Sequence, residues 1–160
     1  MPDGWSAWQD ISQAKVKYMD HPGVYQVRLV DEDGNPVQIP RFTGTDEEGL
    51  IYIGSSVDLG RRLREFESTA EKLKGYHSGA ATYLLARVNF KYRQHPYLNF
   101  KLECRVKHSP RADKSVLRKQ EAILLADYFY KYNELPPSNG NVPKKWEDFS
   151  QELERLWGMK

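Results

Sequence analysis

The chain has 160 residues and a mass of 18.7 kDa, which suits one domain that buries its own core. The mean hydropathy is -0.74, and no apolar run approaches the roughly 18 residues of a membrane span. A single cysteine, Cys104, excludes a disulfide framework and a multi-cysteine zinc site, and it favours the cytoplasm. We expect no secretory signal, because residues 1–4 lack the basic and apolar segments of one.

The net charge of +2 conceals an asymmetry along the chain. Residues 1–50 contain 4 Lys and Arg against 9 Asp and Glu, a net of -5. Residues 51–120 contain 15 against 6, a net of +9, and residues 121–160 contain 5 against 7, a net of -2. The basic block suits either a solvated surface of mixed charge or the binding of nucleic acid.

The first third of the chain predicts one short helix and three strands. Ser12 is the candidate N-cap of the helix, and His21-Pro22 ends it. Pro40 restricts its strand to the edge of a sheet. The predicted order is a weak helix within 1–22, a strand over 23–30, a turn over 31–36, an edge strand over 37–42, a loop over 43–49 and a buried strand over 50–54.

The rest of the chain predicts four helices and one strand. Asp58 is the candidate N-cap of the first of these helices, and Gly75 ends it. The predicted order is a helix over 59–73, a helix over 80–88, an alternating strand over 98–106, a helix over 112–132, a loop over 135–141 and an amphipathic helix from Trp146 to Trp157. These elements predict a single α+β domain with a small, mostly antiparallel sheet.

The helix over 59–73 places three arginines in different environments. Its apolar stripe consists of Leu59, Leu63, Phe66 and Ala70. Arg61 and Arg64 lie on the opposite, wet face, whereas Arg62 lies at the edge of the stripe. The stem of Arg62 either covers apolar surface while its head reaches water, or its head enters a cleft.

Glu121 is a carboxylate within an apolar helix face. The face consists of Leu117, Glu121, Leu124, Leu125, Tyr128 and Tyr132. Such a glutamate is costly unless it is paired or bound to a metal. Spacing alone leaves two alternatives open: a structural salt bridge to an arginine, or a metal ligand or acid–base carboxylate.

Two tyrosines and one histidine are further candidates. Tyr25 and Tyr52 each stand beside a glycine in neighbouring predicted strands, and strand packing alone would explain both. A tyrosine acts as a general base only where nearby cations lower its pKa from about 10. His77 follows the arginine-rich helix and either faces a cleft or is an exposed loop residue. The four histidines have no metal-binding spacing.

The order of these residues resembles the GIY-YIG nuclease superfamily. The resemblance rests on Gly23-Val24-Tyr25, Tyr52-Ile53-Gly54, Arg62, Glu121 and Pro136-Pro137-Ser138-Asn139, and it covers about residues 22–140. It implies one domain over 1–160 with terminal extensions at 1–21 and 141–160. The implied fold is α+β, with a small central three-stranded antiparallel sheet flanked by helices, an elaborated hairpin insertion near 31–49 and extra terminal helices.

The resemblance also implies a role for each matched residue. Tyr25 would be the general base that deprotonates water, with Tyr52 assisting or positioning. Arg62 would bind the scissile phosphate, with Arg61 and Arg64 nearby on nucleic acid. Glu121 would hold one divalent cation, Mg²⁺ or Mn²⁺. Asn139 would orient the site through hydrogen bonds.

Two features depart from the family pattern. Tyr25 and Tyr52 are farther apart than usual, because the hairpin near 31–49 separates them. Phe66 stands where the family often has a histidine or tyrosine, and it cannot transfer a proton; His77 or Tyr76 is the candidate replacement. Six of the nine acidic residues of the first block lie in the hairpin, so we expect the hairpin to point away from nucleic acid.

The resemblance therefore predicts a metal-dependent endonuclease that hydrolyses phosphodiester bonds, with DNA favoured and RNA left open. The partner is nucleic acid and not a membrane, and a homodimer or a targeting protein is left open. One alternative is a catalytically inactive nucleic-acid-binding module, which would stack bases on aromatic residues of the basic block. These aromatics are Tyr76, Tyr83, Phe90, Tyr92 and Tyr97. A third is a protein-interaction domain, which the tryptophan-rich ends would support, although closing the core would also explain these residues. They are Trp5, Trp8, Trp146 and Trp157.

Overall fold

The computed structural model describes residues 4–72, 77–92, 99–140 and 146–159. Within these ranges five helices and six strands form an α+β fold. The strands are β1 (Gln9–Asp10), β2 (Gly23–Val30), β3 (Ile39–Arg41), β4 (Gly44–Asp46), β5 (Leu50–Ser56) and β6 (Lys101–His108). The helices are α1 (Ile11–Lys17), α2 (Leu59–Lys72), α3 (Ser78–Tyr92), α4 (Lys114–Tyr132) and α5 (Trp146–Leu156).

The main sheet has four antiparallel strands in the order β1-β6-β2-β5. The predicted α+β class is confirmed, but the sheet is larger than the three strands expected, because the two-residue β1 pairs with the free edge of β6. A separate two-stranded sheet joins β3 to β4. The prediction of a loop over 43–49 was therefore wrong in part, since β4 turns back at Phe42-Thr43 to pair with β3.

Each face of the main sheet carries its own core cluster. The first core cluster joins inward residues of β2, β5 and β6 to α1, α2 and α3. Its largest fully buried members are Tyr25, Phe66, Leu59, Leu63 and Val106. The second core cluster joins β5 to α4 and α5, through residues such as Ile53, Leu125 and Phe149. The sheet is thus the middle layer of three.

The strand β2 is buried on both sides, which the sequence pattern did not predict. Val24 and Gln26 alternate with Tyr25 along the strand and so lie on the opposite face, yet they are only 1% and 6% exposed. The reason is position: β2 lies between β5 and β6, with the first core cluster on one face and α4 against the other. The opposite face of β6 is also partly covered, because Arg105 stacks on the rings of Trp5 and Trp8.

Helix boundaries follow local capping. The cap of α1 is Asp10, whose carboxylate accepts a hydrogen bond from Ser12 N–H; the prediction of Ser12 as the cap was wrong. Asp58 caps α2 as predicted, by accepting from Arg61 N–H. Asp113 caps α4, which begins two residues later than predicted. The predicted end of α2 at Gly75 lies outside the described residues.

The hairpin of β3 and β4 is attached to the C-terminal end of α4. Arg41 forms an ion pair with Glu134 at 2.7 Å, and the hydroxyl of Thr43 donates to Lys131 O at 3.3 Å. Lys131 is ten residues beyond Glu121 along α4, a separation of roughly 15 Å at 1.5 Å per residue. Among the described residues, no helix is both long and apolar enough to cross a membrane.

Candidate active site

Tyr25 and Tyr52 lie on paired neighbouring strands and on one face of the sheet. Tyr25 is opposite Gly54 and Val27 is opposite Tyr52, so the long hairpin does not prevent β2 and β5 from pairing. The two rings are 5.8 Å apart between centroids. They converge over Gly54, where an added Cβ would lie 2.7 Å from the Tyr52 ring and 2.8 Å from Tyr25 Oη. A side chain at position 54 would therefore separate the two tyrosines.

His77 completes a compact ring cluster with the two tyrosines. It is fully buried, and its Nε2 lies 2.9 Å from Tyr25 Oη. Its ring also packs edge-on against Tyr52 at 5.0 Å and against Phe66 at 4.8 Å. We call these four residues the tyrosine–histidine cluster. The interpretation of His77 as an exposed loop residue was wrong, because the start of α3 folds its side chain onto the sheet.

The hydrogen bonds of His77 define its tautomer. The backbone N–H of Ala80 donates to Nδ1 at 3.3 Å, which favours the tautomer whose ring proton is on Nε2 and points at Tyr25 Oη. Burial, reinforced by the positive charge of Arg62, lowers the pKa of His77 from 6.5 to about 3. At neutral pH His77 is therefore an uncharged donor to Tyr25 and does not accept the tyrosine proton in this geometry.

Burial favours the neutral phenol form of both tyrosines. Burial raises the pKa of Tyr25 well above its ordinary value, and the neighbouring Tyr52 adds to the effect. Burial also raises the pKa of Tyr52, and the negative charge of Glu121 adds to it. The positive charge of Arg62 acts in the opposite direction on both, but burial dominates. Arg62 is the nearby cation that a tyrosine base would need. Its charge lowers the pKa of both tyrosines by less than burial raises it.

Arg62 lies at the edge of α2 beside both tyrosines. Its side chain is 29% exposed and donates to Glu65 at 2.8 Å, so the head is neither free in water nor buried in the core. Its charge lowers the pKa of Tyr25, Tyr52 and Glu121, which shows that it is close to all three. Arg61 and Arg64 are exposed on the wet face of α2, as predicted.

Glu121 approaches from α4, on the other side of β5. Its carboxylate accepts a hydrogen bond from Ser55 Oγ at 2.5 Å. It forms no ion pair with any residue that the structure describes, so the expected salt bridge to an arginine is not formed there. Burial raises the pKa of Glu121, and the Ser55 hydrogen bond and the charges of Arg62 and Arg118 oppose that rise.

The chemistry around Glu121 fits a hard divalent cation held by few protein ligands. The available groups are oxygen donors, one carboxylate and one serine hydroxyl. No group of three or more His, Cys, Asp or Glu residues gathers as a metal cage in the described part of the chain. Glu121 is therefore the residue that would hold Mg²⁺ or Mn²⁺, with waters and substrate phosphate oxygens as the remaining ligands.

Asn139 supports the site through the backbone of β5. Its amide accepts from Ile53 N–H at 2.9 Å and donates to Ile53 O at 2.8 Å. Ser138 N–H donates to Ile51 O at 2.8 Å on the same strand. The loop thus covers the outer edge of β5 immediately before Gly54. Asn139 positions the strand and does not contact the tyrosines or Glu121 through its hydrogen bonds.

We call Tyr25, Tyr52, Arg62 and Glu121 the coupled group, because the charges of Arg62 and Glu121 change the pKa of both tyrosines. The charge of Arg62 also lowers the pKa of Glu121. The structure adds Ser55, which the sequence analysis did not place in the site. The only sequence signal for Ser55 was its position directly after the Tyr-Ile-Gly step. Tyr76, the other candidate accessory residue, lies outside the described residues.

The aromatic residues proposed for base stacking receive little support. Tyr83 is 8% exposed and belongs to the first core cluster, so its ring is not available for stacking. Tyr76 and Tyr97 lie outside the described residues, and so do the side chains of Phe90 and Tyr92. Of the terminal tryptophans, Trp5 and Trp8 stack on arginines, whereas Trp157 is 50% exposed.

Two cavities lie away from this site. One, of about 250 Å³, is lined by residues that include Asp10, Tyr83 and Lys101. The other, of about 280 Å³, lies over the second core cluster and is lined by residues that include Arg105 and Asp127. Both linings mix acidic and basic side chains, and neither contains a residue of the coupled group.

Comparison with known proteins adds no further constraint. No family model, no curated protein and no solved structure matches this chain.

Proposed function

We propose that the protein is a metal-dependent endonuclease of the GIY-YIG type that hydrolyses phosphodiester bonds in DNA. The observation that carries this proposal is the convergence of Tyr25 and Tyr52 over Gly54, next to the hydrogen bond that joins Ser55 to Glu121. The charge of Arg62 acts on both tyrosines and on Glu121. These residues come from two strands and two helices and are up to 96 positions apart, from Tyr25 to Glu121. Core packing alone does not require a cation, a carboxylate and two tyrosines at one place.

The sheet arrangement supports the same proposal. The strands β6, β2 and β5 form a three-stranded antiparallel core, with Tyr25 on the central strand and Tyr52 beside it. In this interpretation β1, α1 and α5 are additions to that core, and the hairpin of β3 and β4 is an insertion. The hairpin is attached at the far end of α4 from Glu121, which agrees with its expected position away from nucleic acid.

Each group has a distinct task in this mechanism. Tyr25 must first lose its phenolic proton to solvent, and the resulting phenolate then takes a proton from the attacking water; the Nε2–H of His77 stabilises that phenolate. Arg62 exchanges Glu65 for the scissile phosphate and stabilises its developing negative charge. When bound at Glu121, a divalent cation supplies charge stabilisation for the leaving 3′-oxygen. Ser55 fixes the orientation of the Glu121 carboxylate.

A second candidate function is a nucleic-acid-binding module without catalysis. The complete burial of Tyr25 favours it, because a water molecule cannot reach the Tyr25 hydroxyl unless its surroundings move. The apolar Phe66 favours it as well, since its fully buried ring occupies a position where a proton-transferring side chain would be expected. In this case the protein would bind nucleic acid and would not cleave it.

One assay separates the two candidates. Purified protein is incubated with supercoiled, branched and single-stranded DNA in the presence of Mg²⁺, Mn²⁺ or EDTA, and nicked or shortened products are measured. The nuclease proposal predicts cleavage with either metal and none with EDTA. Salt-sensitive binding without cleavage under either metal would establish the second candidate and overturn the first.

A further inference from the structure

Arg118 differs from the other half-buried arginines of the described chain. Arg28, Arg62 and Arg105 each donate a hydrogen bond to a side chain, and Arg41 forms an ion pair with one. The partners are Glu103, Glu134, Glu65 and Gln26 respectively. Arg118 is also half-buried, yet it forms no hydrogen bond and no ion pair within 4.0 Å among the described residues.

Arg118 lies close to Glu121 on α4. Arg118 precedes Glu121 by three residues on α4, so the two side chains share one face of the helix. Arg118 and, from α2, Arg62 are both close enough to Glu121 for their charges to act on its carboxylate. Two arginines from different helices therefore act on the one carboxylate of the site, and neither forms an ion pair with it.

A partly desolvated guanidinium without a partner is costly unless a ligand supplies the missing acceptors. Arginine presents a planar fork of donors that matches the oxygens of a phosphate. The neighbouring Lys119 provides a contrast, because it carries the same charge on the same helix and is exposed. Solvent satisfies Lys119, whereas Arg118 is partly withdrawn from solvent.

We propose that Arg118 binds a backbone phosphate of the nucleic acid strand, next to the phosphate held by Arg62. This inference rests on the proposed nucleic-acid function and deepens it. The two arginines would hold two phosphate groups of one strand on either side of the Glu121 carboxylate. Arg118 would thereby align the strand across the site, whatever the base sequence.

Binding in EDTA tests the inference apart from catalysis. Fluorescence anisotropy of a labelled duplex and of a labelled single strand is measured over a series of KCl concentrations. For Arg118→Ala we expect at least a tenfold weaker Kd, and a slope of log K against log salt that is smaller by about 0.7–0.9. For Lys119→Ala we expect a change of less than threefold in Kd. Arg118→Lys should restore the slope but only part of the affinity, because lysine lacks the planar fork.

The outcomes are distinguishable from failure of the nuclease proposal. Equal binding curves for Arg118→Ala and Lys119→Ala, with unfolding curves like that of the wild type, would overturn the inference even if the wild type cleaves DNA. Binding that depends on Arg118, without cleavage in Mg²⁺ or Mn²⁺, would support the inference and refute the nuclease. Absence of any salt-sensitive binding by the wild type would overturn both.

Discussion

Two buried tyrosines, Tyr25 and Tyr128, are held in opposite ways in the two core clusters. The hydroxyl of Tyr128 donates to Asp46 Oδ2 at 3.0 Å. The same carboxylate also accepts from the backbone N–H groups of Glu48 and Leu50, at 2.9 and 3.1 Å. Burial and the negative charge of Asp46 raise the pKa of Tyr128 far above its ordinary value. Each hydrogen bond here fastens the hairpin, so Tyr128 has a structural role.

Tyr25 has an uncharged donor, His77, where Tyr128 has an anion. A donor at Oη stabilises the phenolate form, whereas a carboxylate stabilises only the phenol. Arg62 adds a positive charge near Tyr25, and part of its side chain remains exposed to solvent. Burial alone therefore does not separate the proposed general base, Tyr25, from a structural tyrosine. The partner of the hydroxyl does, and this difference leads to four predictions.

The largest effect is expected from removing the two hydroxyls in turn. Tyr25→Phe should reduce the nicking rate by about 10²- to 10⁴-fold, because it removes the general base and leaves the ring packing intact. Tyr128→Phe should leave the nicking rate unchanged and lower the free energy of unfolding by about 1.5–3 kcal/mol, because Asp46 loses a hydrogen bond. Rates and urea unfolding curves of both variants provide the check. A similar loss of nicking rate in Tyr25→Phe and Tyr128→Phe would show that the two tyrosines do not differ in role.

Ser55 should be the next most sensitive position. Ser55→Ala removes the hydroxyl that donates to Glu121, so the Mg²⁺ concentration for half-maximal nicking should rise by about 10- to 100-fold. Ser56→Ala is the matched control, because the Ser56 hydroxyl donates to Asp58 O at the start of α2 and not to Glu121. Magnesium titrations that are equal for the two variants would exclude a metal-orienting role for Ser55.

The packing of Tyr52 against Gly79 should appear in stability measurements. A Cβ at position 79 would lie 2.2 Å from the Tyr52 ring, so Gly79→Ala must displace either the ring or the start of α3. We expect a loss of about 1–3 kcal/mol in the free energy of unfolding. Gly140→Ala is the control, since nothing lies within 4 Å of its added Cβ, and it should change stability by less than about 0.5 kcal/mol. Equal stabilities of the two variants would show that Tyr52 is not held by Gly79.

The depressed pKa of His77 predicts how stability depends on pH. Its pKa falls from 6.5 to about 3 on folding, so the unfolded chain binds a proton that the folded chain does not bind between these values. Above pH 6.5 the buried neutral ring does not reduce the free energy of unfolding. As the pH falls from 6.5 toward 3, the free energy of unfolding decreases by about 1.4 kcal/mol per pH unit, because only the unfolded chain takes up the proton. His77→Gln should show a flatter stability curve between pH 4 and 6, measured by urea unfolding. Parallel curves for the wild type and His77→Gln would contradict burial of a neutral His77.

Part of this arrangement was predictable from the sequence, because it depends on local patterns. The alternation in β6, the stripe on α2 and the edge position of Arg62 follow from strand and helix periodicity. The pairing of Tyr25 with Gly54 depends on the register between β2 and β5. The tyrosine and glycine near each strand end indicated that these two strands are neighbours. These features concern residues within one element or in two strands that pair directly.

The contacts that were not predicted depend on how distant elements pack. The position of His77 follows from where α3 begins, and its hydrogen bond to Tyr25 joins residues 52 positions apart. The bond from Ser55 to Glu121 spans 66 positions and requires α4 to lie against β5. Likewise, Gln26 is buried because α4 covers the second face of β2. Periodicity carries no information about such long-range packing.

The central claim is that Glu121 is the metal-binding carboxylate of a nuclease site, and plasmid nicking by Glu121→Ala tests it most directly. Asp127→Ala is the control, since Asp127 is an exposed carboxylate on the same helix. We predict that, with Mg²⁺ in excess, Glu121→Ala loses nicking while its unfolding curve remains cooperative, and that Asp127→Ala cleaves at the wild-type rate. Wild-type nicking by Glu121→Ala would contradict the claim.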